Sequence, residues 1–194
     1  MMRRLLLGLA LAAGATQAWA QPTAARMPVP RACPVGAGSV ERSIGGTLVY
    51  AGSVRGIPEL CRITNNGEAG EYYMGVWRAD WPGAGLAYPA LRAVMHGGKG
   101  AEARFDTFAG PGLQWHGTIR NEGIETVTVA GRDLRALRLS HEREGFDGNG
   151  YHSVITVWKE LRTGMYLKVE HRHIAGVEVP NIAWTAVRVT GIPG

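Results

Sequence analysis

Residues 151–173 contain the two clearest strand patterns of the chain, YHSVITVWK at 151–159 and MYLKVEHRH at 165–173, joined by ELRTG at 160–164. The two outer segments are rich in β-branched and aromatic residues, which favour strands. The connection between them is short and polar, and it ends in a glycine, as turns often do. The stretch therefore predicts two adjacent antiparallel strands joined by a tight turn.

Short strand-forming runs separated by turn residues continue outward from this hairpin. The sequence Asn65-Asn66-Gly67 is a strong signal for a tight hairpin turn. The further predicted strands lie at residues 46–50, 60–64, 71–77, 104–108, 113–119, 125–129, 134–141 and 181–190. Together with the hairpin they make about ten strands, which predicts a mainly β fold. We expect a single curved antiparallel sheet, either a half-barrel or an open barrel.

One segment departs from the β pattern. Within residues 88–95, Leu91, Val94 and Met95 follow the i, i+3, i+4 spacing of one helix face. Pro89 stands where a first helical turn tolerates proline, and two glycines follow His96. The spacing predicts one short helix that packs on the sheet.

The N-terminal residues carry the features of a secretory signal peptide. Arg3 and Arg4 precede a short apolar run at residues 5–13, and residues 18–20 form an Ala-x-Ala cleavage signal. The run is shorter than the roughly 20 apolar residues that span a bilayer, although a retained N-terminal anchor is the alternative. The residue directly after the cleavage point is Gln21 and the first cysteine is Cys33, well past that point, which argues against lipid attachment. We therefore expect a periplasmic or secreted protein with no transmembrane segment after signal removal.

The remaining chain divides into two parts. Residues 21–32 contain three prolines and no hydrophobic period, which predicts a flexible leader. Residues 33–194 are expected to form a single β-rich domain. The formal net charge is +5, but the basic residues are scattered singly and form no basic run. Because nucleic-acid binding needs a basic stripe or patch, we expect no nucleic-acid partner.

The chain has two cysteines, Cys33 and Cys61. In an exported protein an even number of cysteines favours a disulfide. A Cys33–Cys61 bond would stabilise the fold by about 3–4 kcal/mol through its effect on the unfolded chain. The alternative is a redox pair, but the two cysteines lack the C-x-x-C spacing of such a pair.

Histidines are the first candidates for chemistry. His171 and His173 share one face of the second hairpin strand, and with His116 they could bind a metal, since a zinc site needs about three or four protein ligands. The alternative is that they are solvated at a strand end. A second possibility is His141 beside Glu142, Glu144 and Asp147, where a His–carboxylate pair could act as a general base. The alternative for this cluster is a polar hairpin end.

Large aromatic residues are the second kind of candidate. Trp77, Trp81 and Tyr88 cluster around the Trp-Pro-Gly turn and the predicted helix, and Trp115 is added as a further ligand-binding candidate. Aromatic residues usually fill a core. The alternative is that these four line the mouth of a cleft and contact an apolar ligand.

Part of the chain resembles a known group of proteins. A strand at residues 127–129, a turn, a strand at 134–139 and a tryptophan-containing hairpin at 155–168 resemble exported bacterial proteins of unknown function. That group is similar in architecture to periplasmic lipoprotein-carrier half-barrels, which hold lipid on a concave sheet. The resemblance covers residues 120–175. It implies an exported β fold and brings no catalytic residue.

These observations favour a non-enzymatic envelope protein that binds or carries an apolar or amphipathic ligand, such as a lipid, or docks to an envelope protein. No serine stands in G-x-S-x-G, and the glycine-rich stretches lack the spacing of phosphate loops. No cofactor is expected. Two alternatives stay open: a His-dependent or metal-assisted hydrolase, and a structural interaction module.

Overall fold

A computed structural model describes residues 28–34, 36–110, 113–146, 150–177 and 183–191. The predicted signal peptide, most of the predicted leader and Asp147 lie outside the described residues. No helix formed by the described residues has the length and apolar character needed to cross a membrane.

Eleven antiparallel strands form one sheet among the described residues, and the sheet is not closed. This confirms the predicted fold class. In spatial order the strands are β5-β4-β3-β2-β1-β11-β10-β9-β8-β7-β6. Their bounds are β1 Gly38–Arg42, β2 Thr47–Val54, β3 Ile57–Asn65, β4 Glu68–Tyr73, β5 Trp77–Arg78, β6 Glu102–Gly110, β7 Leu113–Val129, β8 Arg132–Gly145, β9 His152–Glu160, β10 Tyr166–Ala175 and β11 Trp184–Thr190.

The predicted hairpin turn between β3 and β4 is present. Asn66 and Gly67 have φ of 51° and 88°, the two positive values that a tight hairpin turn of the primed type requires. The Asn66 side chain also accepts hydrogen bonds from the Thr47 backbone at 2.9 Å and from Arg42 Nη2 at 2.9 Å. The turn thereby fixes the start of β2 at Thr47 as well as its own hairpin.

The strand prediction for residues 113–129 was wrong in one respect. The two predicted runs form a single long strand, β7, whose register with β8 shifts between Asn121 and Gly123. This β-bulge is held by the Asn121 side chain, which accepts a hydrogen bond from the Gly123 backbone at 3.0 Å and donates one to the Val94 carbonyl at 3.2 Å. A short strand, β1, was not predicted at all because its sequence GSVER has little strand character.

The helix α1 spans Ala84–His96 and therefore begins four residues before the predicted start at Tyr88. Pro89 consequently lies in the second turn and not in the first. Ala84 and Ala87 are fully buried, and the Thr107 hydroxyl donates a hydrogen bond to the Gly83 carbonyl at 3.2 Å. Small residues at this end let the helix approach the sheet closely, which extends it beyond the periodic apolar pattern.

Two groups of buried side chains hold the layers together. One lies between α1 and the β6–β8 part of the sheet and includes Leu91, Val94 and Ile119. The other joins β1–β3 to the C-terminal strands and includes Tyr50 and Cys61. The predicted Cys33–Cys61 disulfide is confirmed, with a Cα–Cα distance of 5.3 Å. It ties the residues before β1 to β3.

Lys159 is a fully buried cationic side chain at the end of β9. Its Nζ donates hydrogen bonds to the carbonyls of Ala32 at 3.0 Å, Met74 at 2.9 Å and Gly164. The neighbouring Glu160 is also buried and accepts bonds from the backbone and hydroxyl of Thr163, each at 2.6 Å. Burial lowers the pKa of Lys159 to about 7. This lysine connects three segments that are distant in the sequence.

Candidate ligand cavity

A cavity of about 650 Å³ opens on the inner face of the sheet. Side chains from β1–β3, from the β4–β5 region and from β7–β11 all reach it, which requires the sheet to curve around it. Its volume falls within the range of about 300–1,000 Å³ that ligand pockets occupy. The lining residues are Arg42, Ile44, Leu48, Tyr50, Ile63, Asn65, Tyr72, Gly75, Val76, Trp77, Arg78, Trp81, Trp115, Ile119, Leu139, His141, Arg143, Ile155, Val157, Tyr166, Val169 and Trp184.

Strand alternation decides which side chains face the cavity. Successive residues of a strand point to opposite faces, so Leu139, His141 and Arg143 of β8 share the inner face. The register places His141 opposite Ile119 of β7 and opposite Ile155 of β9, and these two residues also line the cavity. The inner face therefore changes along β8 from aliphatic at Leu139 to polar at Arg143.

Three of the four aromatic residues predicted to contact a ligand line the cavity. Trp81 and Trp115 lie with their ring centroids 6.3 Å apart, and Trp77 lies 5.4 Å from the His141 ring. Tyr88 is not among the lining residues. Its ring stacks on Tyr73 at 4.6 Å, and its hydroxyl donates a hydrogen bond to Glu59. Tyr88 thus joins the helix to β3 and β4.

His141 is buried in the cavity wall, with 8% of its surface exposed. Its ring lies 5.4 Å from the rings of Trp77 and Phe105, and its Nε2 has no hydrogen-bond partner among the described residues. Burial, reinforced by the charge of Arg143, lowers the pKa of His141 to about 3. The imidazole is therefore neutral at physiological pH and can donate or accept a hydrogen bond.

Arg143 is the half-buried cation of the cavity wall. Its guanidinium lies 5.6 Å from the ring centres of both Trp115 and Tyr151. Its Nη2 donates hydrogen bonds to the Tyr151 hydroxyl at 2.9 Å and to the Ser153 hydroxyl at 3.2 Å, while its buried Nε has no partner among the described residues. Burial lowers the pKa of Arg143, but an arginine side chain stays protonated in proteins.

The charges around the cavity are unbalanced. Three arginines line it, and none of the described lining residues is acidic. Arg78 is neutralised by Glu68 and by Asp80, whose carboxylate lies 2.7 Å from it. For Arg143, no carboxylate of the described residues lies within 4 Å, and the acceptors of its Nη2 hydrogen bonds are two neutral hydroxyls.

The three predicted metal ligands do not come together. Residues directly opposite in the register share a face, and this places His171 and His173 on the inner face and His116 on the outer face. His116 bonds to Asp106 at 2.7 Å and packs on Phe146. His173 Nε2 lies 3.2 Å from the Gly176 carbonyl.

The predicted pairing of His141 with nearby carboxylates is also not formed in the described structure. Glu142 and Glu144 lie on the outer face, opposite to His141. The histidine that meets them is His152, whose Nε2 is 2.8 Å from Glu142 and 3.9 Å from Glu144. The potential ligand atoms of these three residues lie within 4.8 Å of one another. Arg120 contributes a positive charge 3.7 Å from Glu142.

Arg143, Tyr166 and the inward orientation of His141 were missed from the sequence. A usable signal exists in β8, where Leu137, Leu139, His141 and Arg143 alternate with the outward Arg138, Ser140 and Glu142. This alternation predicts that His141 and Arg143 lie on the same face of the strand as Leu137 and Leu139, so that the face changes from apolar to polar along β8. The pairing of Arg143 with hydroxyls and not with a carboxylate depends on contacts between strands.

The comparisons with known proteins show a likeness of fold alone. No family model matches the sequence, and no curated protein matches it. The fold is similar to the crystal structure of the hypothetical lipoprotein YmcC from Escherichia coli K12, with 15% sequence identity and a TM-score of 0.45. The match covers 81% of this chain and 86% of that one.

Proposed function

We propose that this protein is a non-enzymatic envelope protein that binds or carries an apolar or amphipathic ligand in the cavity on the inner face of its sheet. The observation that carries the proposal is the cavity itself, about 650 Å³ in volume and lined mainly by aromatic and aliphatic side chains. Protein interiors are close-packed and contain few voids larger than a water molecule. A space of this size is therefore better explained as a binding site than as imperfect core packing.

The lining favours apolar contact over chemistry on a substrate. Ile155, Val157 and Val169 form a continuous aliphatic wall on three neighbouring positions of β9 and β10, and tryptophans surround it. Each methylene group removed from water contributes about 0.8 kcal/mol, so a chain of several methylenes laid on this wall binds with useful affinity. Among the described lining residues no serine or cysteine is available as a nucleophile.

The Cys33–Cys61 disulfide supports placement of this function outside the cytoplasm. Disulfides persist in oxidising compartments such as the bacterial periplasm and are rare in the cytosol. In the envelope, apolar and amphipathic molecules are abundant, and a protein with an open apolar cavity can shield them from water.

The experiment is a binding titration with the uncharged fluorescent probe N-phenyl-1-naphthylamine. We expect saturable binding to the wild-type protein. Ile155→Trp fills the inner face and should weaken binding by about tenfold or more, because it removes the space that the probe occupies. Val154→Trp is the matched control, since Val154 is the adjacent residue on the outer face, and its affinity should stay close to wild type. Absence of saturable binding, or equal weakening by the two variants, would overturn the proposal.

A further inference from the structure

We infer that the ligand is an amphipathic anion, an apolar chain ending in an oxyanion such as a carboxylate or a phosphate monoester, and that Arg143 binds its charged group. This inference rests on the proposed function and adds the chemical class of the ligand. It assigns the apolar chain to the aliphatic wall and the oxyanion to the polar end of β8.

Arg143 lacks a countercharge among the described residues. Arg143 is half-buried beside the Trp115 and Tyr151 rings, and no carboxylate of the described residues lies within 4 Å of it. Taking a charge out of water is costly unless an opposite charge accompanies it. Arg78, on the same cavity, shows the ordinary solution, since Glu68 and Asp80 both pair with it. A ligand oxyanion would supply the negative charge that the described residues do not place beside Arg143.

The Arg143 guanidinium is held in a preorganised geometry. The Trp115 and Tyr151 rings lie 6.3 Å from each other, and both lie 5.6 Å from the guanidinium carbon. Nη2 is fixed by the Tyr151 and Ser153 hydroxyls, which also lie 2.9 Å from each other. The Nε has no acceptor among the residues that the structure describes. A planar guanidinium held in one orientation can present parallel N–H groups to two oxygens of a carboxylate or phosphate. Little side-chain freedom is then left to lose on binding.

A second unsatisfied polar atom lies next to Arg143 on the inner face of β8. His141, the next inward residue of β8 from Arg143, is only 8% exposed, and its Nε2 lacks a partner among the described residues. Buried polar groups nearly always have a hydrogen-bond partner, so each exception requires an explanation. A polar head group, or the water that accompanies it, would satisfy atoms of this kind.

The aliphatic residues of the cavity lie next to the polar end of β8, where the apolar chain of such a ligand would extend. Leu139, His141 and Arg143 follow one another on the inner face of β8, over roughly 13 Å at the usual rise of a strand. An apolar chain that starts at Arg143 therefore passes His141 and reaches Leu139 and Val157, which are directly opposite each other. The direction from charged to aliphatic surface matches the polarity of an amphipathic anion.

The test is a set of displacement titrations on the full chain, with dodecanoate, dodecyl phosphate, dodecanol and inorganic phosphate competing against the uncharged probe. We expect the two anions to bind about tenfold or more tightly than dodecanol, as charge-assisted hydrogen bonds would provide. In the aliphatic series each added methylene should tighten binding by about fourfold. Inorganic phosphate should not displace the probe, which distinguishes a chain-bearing head group from a free anion.

Arg143→Gln should remove the preference for the anions and leave dodecanol within about twofold of wild type. Arg172→Gln is the matched control, because Arg172 is an exposed arginine on the outer face, and it should keep the preference. Near-ultraviolet circular dichroism verifies folding. If Arg143→Gln does not fold, Arg143→Lys keeps the charge but loses the two-pronged geometry, and it should reduce the preference.

Three outcomes would overturn the inference. In the first, dodecanoate and dodecanol bind wild type equally well, which leaves the proposed function intact and removes only the anion. In the second, the preference persists in Arg143→Gln and disappears in Arg42→Gln, which moves the head group to the opposite wall. In the third, inorganic phosphate competes as strongly as dodecyl phosphate. Failure of every compound and of the probe would instead contradict the proposed function itself.

Discussion

At the scale of single residues, His141 shows how burial sets the chemistry of the cavity. Its imidazole packs against the rings of Trp77 and Phe105, and Arg143 adds a positive charge nearby. Both effects disfavour the protonated form, and the pKa falls to about 3. At neutral pH, His141 is consequently a polar but uncharged part of the wall.

His141 should make the protein sensitive to acid. Its folded pKa of about 3 lies below the ordinary value of about 6.5, so the unfolded chain binds the proton more readily between these two pH values. The free energy of unfolding should therefore fall as pH drops from about 6.5 to 3, by up to about 1.4 kcal/mol per pH unit from this group. Below about pH 3 its contribution to the slope ends.

Urea denaturation at several pH values, with His141→Phe beside wild type, measures this contribution. Carboxylates titrate in the same window in both proteins, so the difference between the two slopes isolates the histidine. His96→Gln, at the exposed end of α1, is the control and should follow the wild-type slope. Parallel curves for His141→Phe and wild type would show that the buried imidazole does not lose its proton on folding as described.

At the scale of elements, the turns and the best strands follow from local sequence, whereas the boundaries depend on contacts. Asn66 and Gly67 define their hairpin because few other residues adopt two successive positive φ values. The periodic apolar pattern does not predict the start of α1 at Ala84, because this start depends on close approach of small residues to β6. The sequence pattern does not predict the bulge in β7 either, since a single side chain, Asn121, maintains this bulge.

Asn121 should therefore stabilise both the bulge and the helix. It is buried, and Asn121→Ala would remove the acceptor for the Gly123 backbone and one donor to the Val94 carbonyl. Leaving a buried N–H unsatisfied costs about 1–3 kcal/mol, and we expect that loss in the free energy of unfolding by urea. Amide hydrogen exchange in the last turn of α1 should also become faster, because the helix loses an anchor to the sheet.

The control is Gln114→Ala at an exposed position of the same strand, which should change stability by less than about 0.5 kcal/mol. An Asn121→Ala protein as stable as this control would mean that the bulge is held by the strand register alone.

For the candidate site, too, the sequence predicts some residues, whereas the placement of others depends on contacts in the folded chain. Aromatic residues near the Trp-Pro-Gly turn are recognisable from composition, and Trp77, Trp81 and Trp115 do line the cavity. Tyr88 differs because the longer helix turns it toward Tyr73 and Glu59. The predicted grouping of histidines depends on strand phase, and one residue of offset places His116 on the other face from His173.

At the scale of the whole molecule, the disulfide and Lys159 act on the same segment. Cys33 is bonded to β3, and the Ala32 carbonyl beside it accepts a hydrogen bond from Lys159 on β9. Lys159 also reaches the Met74 and Gly164 carbonyls. These contacts join the residues before β1 to both halves of an open sheet. Because the sheet is not closed by strand pairing, such cross-connections help to fix its curvature around the cavity.

The two connections should therefore be energetically coupled. Lys159→Met leaves three carbonyls without a donor and should cost about 3 kcal/mol of unfolding free energy, while removal of the disulfide by Cys33→Ser with Cys61→Ser should cost about 3–4 kcal/mol. Without the disulfide, the Ala32 segment is less well held, and Lys159 has less to bind. The combined variant should then lose less than the sum of the two separate losses, by about 1 kcal/mol or more.

Lys168→Met is the control for removing a lysine, since Lys168 lies half-buried over the Trp158 ring at 4.5 Å and contacts none of these segments. Losses in urea denaturation that add within about 0.5 kcal/mol would show instead that the two connections stabilise separate parts of the sheet.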